Sequence, residues 1–249
     1  MKGTLGQTLS EFDAALTRFR ARLDSFPELR DQLFQNTAEW TRLLTYKLLP
    51  HLAGEGCLVA AVAGGTNTGK STVFNLLLGE DVSPVRTTAA ATARPVLAGN
   101  TARAAQCLDC KLVPEFEPQP LTDREDVVRG AAPPNALFVA EQSSLPDRLV
   151  LLDIPDIDSI DQQNWEVAEN IQAAGDVLIA VLTGEKYKDD RVIAFFRRAH
   201  AAGRVILPLM NKAHPKNGYE VARTQLADFR EQVGLDRPAC FVLPHDYDL

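Results

Sequence analysis

The stretch Gly64-Gly65-Thr66-Asn67-Thr68-Gly69-Lys70-Ser71-Thr72 follows directly on the apolar run Cys57-Leu58-Val59-Ala60-Ala61-Val62-Ala63 and precedes Val73-Phe74-Asn75-Leu76-Leu77-Leu78. A strand, a glycine-rich turn and a helix in that order constrain a chain more than any other feature here. Glycines at 64, 65 and 69 let successive backbone N–H groups turn inward, a concavity that suits an anion. A helix beginning at Lys70 aims its N-terminal dipole and free donors at the same point. Lys70 then reaches the outer groups of a phosphate chain, and Ser71 offers a hydroxyl to magnesium. Gly64, Gly65, Thr66, Asn67, Thr68, Gly69, Lys70, Ser71 and Thr72 are therefore the expected nucleotide-binding loop, and a nucleoside triphosphate is the expected ligand.

A second apolar run, Arg148-Leu149-Val150-Leu151-Leu152, ends in Asp153-Ile154-Pro155-Asp156. A strand ending in an acid beside such a loop is where a carboxylate supports magnesium through water, which makes Asp153 the expected metal-side residue. With a threonine-rich stretch ending at Thr92 and with Asn211-Lys212 behind Val205–Met210, the motifs stand in a recognisable order. The chain resembles a P-loop GTPase domain of the Era-like and dynamin-like branch, over about Leu58 to Leu243. That resemblance implies GTP and GDP as ligands and Mg2+ as cofactor, with hydrolysis of the terminal phosphate by a nucleotide-dependent switch or a self-assembling dynamin-like enzyme. Residue by residue, it makes Ser71, Thr92 and Asp153 the metal set and adds Asn211 and Lys212 for the base. Asn67, Lys70 and Thr92 become the catalytic candidates. Asn67 stands where several Era-like members use an asparagine to hold K+, and the plain alternative is a turn asparagine. Arg86 and Arg94 are further candidates for positive charge.

Two residues depart from the family's pattern. Asp156 stands where the family has a glycine whose N–H meets the terminal phosphate, and a carboxylate there repels a polyanion unless it is turned away. His214 replaces the aspartate that pairs with the guanine ring, so ATP use stays open beside GTP. Ile157 follows Asp156 where a water-positioning glutamine is found elsewhere. These departures keep a second reading open: a nucleotide-sensing interaction module with little hydrolysis.

The fold expected from alternating strand and helix patterns is α/β, a mainly parallel P-loop sheet with helices on both faces. An N-terminal helical hairpin precedes it, giving a helical extension over 1–50 and a GTPase domain over 51–249. The hairpin is read from Leu5, Leu9, Phe12, Leu16, Phe19 and Leu23, then from Leu29, Leu33, Trp40, Leu43, Leu44 and Leu48 up to Pro50. Strand-like runs are expected at Arg94–Ala98, about Ala105–Pro114, Leu137–Ala140, Val177–Leu182, Val205–Met210 and Ala239–Leu243. Helices are expected at Lys70–Leu78, near Gln163–Ala174, at Val192–Ala202 and at Tyr219–Val233. Glu115–Pro134, carrying Pro118, Pro120, Pro133 and Pro134, reads as an insertion around a short polar helix. Glu185–Asp190 reads as a solvated charged turn.

The formal charge of −7 over 249 residues speaks against broad adhesion to nucleic acid or anionic lipid. No apolar stretch nears the roughly 20 residues of a membrane span, and no secretory signal opens the sequence, so a cytoplasmic location is expected and membrane association stays unassigned. Of the four cysteines only Cys107 and Cys110 have a ligand-like spacing, and no second pair completes a zinc site. A homodimer across the nucleotide face and an unidentified protein partner are the expected macromolecular contacts. The abrupt end at Leu249 leads to the expectation of a piece of a longer protein.

Overall fold

The computed structural model describes residues 2–34, 37, 40–41, 43–54, 56–85, 94–109, 116–128, 132–133, 135–157, 174–214, 218–236 and 238–245. Arg86, Thr92, Cys110 and, apart from Ala174, the helix expected near Gln163 fall outside them. The chain divides into two compact units, Met1–Cys57 and Leu58–Leu249.

The first unit is helical. Helix α1 (Lys2–Arg22) is followed by α2 (Pro27–Phe34), a π-helical turn at Leu43–Leu48 and the short α3 (Leu49–Ala53). Phe12 stacks on Trp40 with ring centroids 6.0 Å apart, Phe19 meets Phe34 at 6.1 Å, and Thr45 donates to Asp13 at 2.8 Å. Pro50 does not end the helical run as expected. It sits in the first turn of α3, where its missing N–H costs nothing, and Gly54 at φ 82 closes that helix.

Among the described residues the second unit is built on eight strands: β1 (Leu58–Gly64), β2 (Val96–Gly99), β3 (Glu117–Pro120), β4 (Ala136–Glu141), β5 (Leu149–Asp153), β6 (Val177–Leu182), β7 (Val205–Ala213) and β8 (Phe241–Pro244). They form one sheet in the order β3-β4-β2-β5-β1-β6-β7-β8. Every neighbouring pair is parallel except β2 with β5, where Leu97 faces Leu152. The mainly parallel α/β architecture expected from the strand and helix patterns is thus present. β1, β4 and β5 are buried along nearly their whole length rather than at alternate positions, which requires cover on both faces of the sheet.

Helices α4 (Lys70–Leu78), α5 (Thr101–Asp109), α6 (Asp190–Ala201) and α7 (Gly218–Val233) provide that cover. Phe74 from α4 is fully buried with Val62, Val96 and Leu151 in the main core. Phe196 of α6 meets Phe229 of α7 edge-on at 5.6 Å. Asp189 caps α6 by accepting from the N–H groups of Arg191 and Val192, so the charged turn before it has a structural task.

Two expectations, one before the insertion and one within it, are corrected. The segment from Ala105 towards Pro114 does not open as a strand: Thr101–Asp109 is helix α5, rich in alanine and begun by Asn100, whose side chain accepts from the Arg103 N–H at 2.9 Å. The proline-rich stretch after it contributes a strand rather than only loop. β3 pairs with β4 at the sheet edge, with Glu117 N–H and Leu121 N–H donating to Asn135 and Val139 carbonyls. The intervening Pro118 and Pro120 stand on the outward side, the one side of an edge strand that needs no donor. The short polar helix is a 3-10 turn at Arg124–Val127.

Candidate functional site

β1 delivers the chain to Gly64, where an added Cβ would run into the Val181 carbonyl oxygen on neighbouring β6. Gly69, at φ 88, stands in the left-handed region as the N-cap of α4, and a Cβ there would strike the side-chain amide of Asn211. Between them Asn67 is also left-handed, at φ 61. Asparagine tolerates that conformation better than most residues, so the turn accounts for its presence whatever else it does. Thr68 is fully buried and its hydroxyl donates to the Gly65 carbonyl at 2.9 Å.

Lys70 is 5% exposed and folds back over the loop, its ammonium donating to Gly65 O at 2.9 Å. It also forms an ion pair with the carboxylate of Asp156. The Asp156 carboxylate is thus not turned away: it is directed at the loop and lies on the lysine.

Asp153, at the end of β5, is completely buried. Its Oδ2 accepts from Ser71 Oγ and from Ser83 Oγ, each at 2.7 Å. Its Oδ1 is buried and has no partner among the described residues. Burial raises its pKa from 3.8 to about 6; the Ser83 and Ser71 hydroxyls and the Lys70 charge pull it down, and the Asp156 charge pushes it up. An orphaned carboxylate oxygen beside a serine hydroxyl is what a hydrated magnesium ion would satisfy. Ser71 and Asp153 therefore fit the metal that the loop implies. Among the described residues no group of three or more His, Cys, Asp or Glu gathers to hold a metal, and Cys107 is buried on α5.

Ser83 and its support were not anticipated. Asn75, buried in the middle of α4, accepts from the N–H groups of Val82 and Ser83 at 3.1 and 2.8 Å and donates to Ser83 O at 2.8 Å. One side chain thus ties the loop after α4 to the helix and presents Ser83 to Asp153. The signal was legible: an asparagine inside an otherwise apolar helical run requires buried hydrogen-bond partners.

Asn211 and Lys212 reach the loop from the far end of β7. Asn211 Nδ2 donates to Thr68 O and Lys212 Nζ to Asn67 O, both at 2.9 Å. Lys212 has φ 56, and its N–H is held by the Asn211 side chain at 2.9 Å. β7 runs on to Ala213, further than the expected Met210, because β8 pairs with it across an irregular register between Met210 and Ala213. His214 follows at the surface, its carbonyl accepting from Gly218 N–H at 2.6 Å as the chain turns into α7. A pocket of about 220 Å³ borders the motif, lined among others by Gly184, Met210, Lys212, His214 and Gln225.

The structure brings Gly64, Gly65, Thr66, Asn67, Thr68, Gly69, Lys70, Ser71, Asp153, Asn211 and Lys212 to one end of the sheet, while Thr72 lies exposed on α4. Thr92 lies outside the described residues. Ile157 is buried at 2% exposure. Arg94 does not serve as a spare charge: its guanidinium donates to the carbonyls of Val127, Ala132 and Pro133, which pins the insertion.

Loop, lysine, Ser–Asp pair and Asn–Lys motif on this sheet define a P-loop GTPase domain. The sequence profile of the 50S ribosome-binding GTPase family matches residues 59–212, more than half of the chain. The chain belongs to that family of P-loop GTPases. Two chains from a structure of an oligomerised bacterial dynamin pair are similar in fold. One has 14% identity and a TM-score of 0.52 over 96% of this chain and 46% of the other. The second has 15% identity and a TM-score of 0.50 over 95% and 46%. Era, solved with MgGDPNP and a piece of 16S ribosomal RNA, matches at 16% identity and a TM-score of 0.48, over 75% of this chain and 51% of Era. The chain spans about half the length of these proteins. No curated protein matches it.

Proposed function

We propose that this chain binds GTP with Mg2+ and hydrolyses it to GDP and phosphate, acting as a nucleotide-dependent switch. The observation that carries the reading is the buried Asp153, with one carboxylate oxygen on Ser71 and the other without a partner among the described residues, at the mouth of the glycine loop. Bound Mg2+ supplies charge neutralisation for the outer phosphates. The chain's own residues do the rest. Backbone donors of Gly65 to Ser71 receive the phosphates, Lys70 supplies a buried positive charge, and Ser71 and Asp153 hold the ion's side of the site. Asn211 and Lys212 brace the glycine loop and are assigned to the base. Thr92 is assigned the closing role over the terminal phosphate, and Asn67 that of a K+ contact.

Lys70→Ala abolishes nucleotide binding in calorimetry on this reading; unchanged affinity refutes the loop assignment. A binding series with GTP, GDP, ATP and ADP in Mg2+ tests the base choice left open by His214. Phosphate release under multiple turnover, with and without K+ and across protein concentrations, tests hydrolysis, the role of Asn67 and self-association across the nucleotide face. A second reading, a module that senses nucleotide and barely hydrolyses it, is favoured by one observation: the Lys70–Asp156 ion pair engages the lysine that catalysis requires.

A further inference from the structure

We infer that Asp156 is a specificity-determining residue that discriminates against the terminal phosphate, so that triphosphate binds only by displacing its carboxylate from Lys70. The inference rests on the nucleotide-binding reading above and sharpens it to the phosphate count of the ligand. Three observations carry it. The carboxylate lies on the ammonium of Lys70, the group whose position in such loops serves the outer phosphates. The pair is protected, with the two side chains 5% and 14% exposed, so solvent does little to weaken either its attraction or the repulsion an incoming phosphate meets.

The carboxylate is also aimed by the fold. Asp156 stands between Ile154 and Ile157, each 2% exposed, with Pro155 fixing the backbone before it. Ile154 N–H in turn donates to Val62 O at 3.3 Å, extending the pairing of β5 with β1. With both neighbours anchored in the core, the carboxylate has little freedom to withdraw without moving the segment that carries it. In the absence of a terminal phosphate it serves Lys70 as the counter-charge. A diphosphate can meet the third N–H of the ammonium with the other two still on Gly65 O and Asp156, whereas a third phosphate competes for the donor held by the carboxylate and adds its own negative charge beside it.

The test titrates wild type, Asp156→Asn and Asp156→Ala with GDP and with a non-hydrolysable GTP analogue in Mg2+ by calorimetry, with Lys70→Ala as reference. Asparagine keeps the shape and removes the charge, and thermal melts confirm that each variant is folded. Affinity for the triphosphate analogue is expected to rise on the order of 10- to 100-fold in both variants. Affinity for GDP should change by less than about threefold, because a diphosphate needs only the third N–H of the Lys70 ammonium and not the donor held by the carboxylate. An equal rise for both ligands, or a fall for the triphosphate, overturns the inference while leaving nucleotide binding intact. Binding of neither nucleotide by any of the three proteins instead refutes the underlying reading, and this inference with it.

Discussion

Asp153→Asn isolates the energetic cost of the buried metal-side carboxylate. Burial lifts this group from 3.8 to about 6. The folded chain therefore holds the proton more tightly than the unfolded one. Its contribution to stability is full below pH 4 and is lost as the pH rises through about 6, above which the ionised form is a constant burden. A shift of about 2 pKa units corresponds to about 3 kcal/mol. Asparagine retains an oxygen for the Ser71 and Ser83 hydroxyls and removes the titration; its NH2 takes the place of the orphaned oxygen at a cost that does not depend on pH. Urea unfolding of both proteins between pH 4.5 and 7.5, in EDTA, at fixed salt and without nucleotide, gives the difference directly. Wild type should lose about 2 kcal/mol relative to the variant over that range, the rest of the effect lying below pH 4.5. A difference that is flat to within about 0.5 kcal/mol, or one that grows in favour of wild type as the pH rises, refutes the account of Asp153. Magnesium with nucleotide should reverse the order at neutral pH, because the charge that is a burden in the bare protein is what the ion requires.

The remaining predictions concern the supports of the site. Asn75→Ala removes the partner of three backbone groups and should cost about 2–4 kcal/mol in urea unfolding; a loss below about 1 kcal/mol would mean the latch is not needed. Ser83→Ala should weaken stabilisation by Mg2+ and nucleotide in thermal melts, and Ser83→Thr should restore it; equal behaviour of the two variants would separate Ser83 from the metal side. Gly69→Ala places a side chain at φ 88 against Asn211, and should lose nucleotide affinity in calorimetry while the far-UV spectrum stays native. Arg94→Met leaves the carbonyls of Val127, Ala132 and Pro133 without their donor and should destabilise by about 2–4 kcal/mol. If instead it lowered turnover at unchanged stability, the residue would belong to the chemistry after all.

Much of this architecture was legible because local and tertiary demands agree. The residues of β1, the glycine turn and α4 require the same conformations by pattern, propensity and packing, and α4 spans the expected Lys70–Leu78. Val177–Leu182 was equally plain, an apolar run of strand length. The stretch from Thr101 through the insertion misled for two reasons. Alanine-rich Thr101–Asp109 has only a narrow apolar face, and its start depends on a cap by Asn100. Pro118 and Pro120 suggested loop because their place at an edge is a tertiary fact that no local pattern reveals. At the site, the residue types announced the loop, Lys70, Ser71 and Asp153. Asn75 signalled that it needed buried partners, but the link of Ser83 to Asp153, 70 residues on, emerged only with the fold. The direction taken by Asp156 followed from its anchored neighbours.

One further consequence belongs to β3. Incoming strands bind to a sheet by exchanging hydrogen bonds with its outermost member, and here the outward positions are imino acids with no hydrogen to give. That flank is therefore closed to templated growth. Any assembly of copies by continuous backbone pairing must begin elsewhere, because the Pro118 and Pro120 carbonyls at this border can accept but nothing beside them can donate.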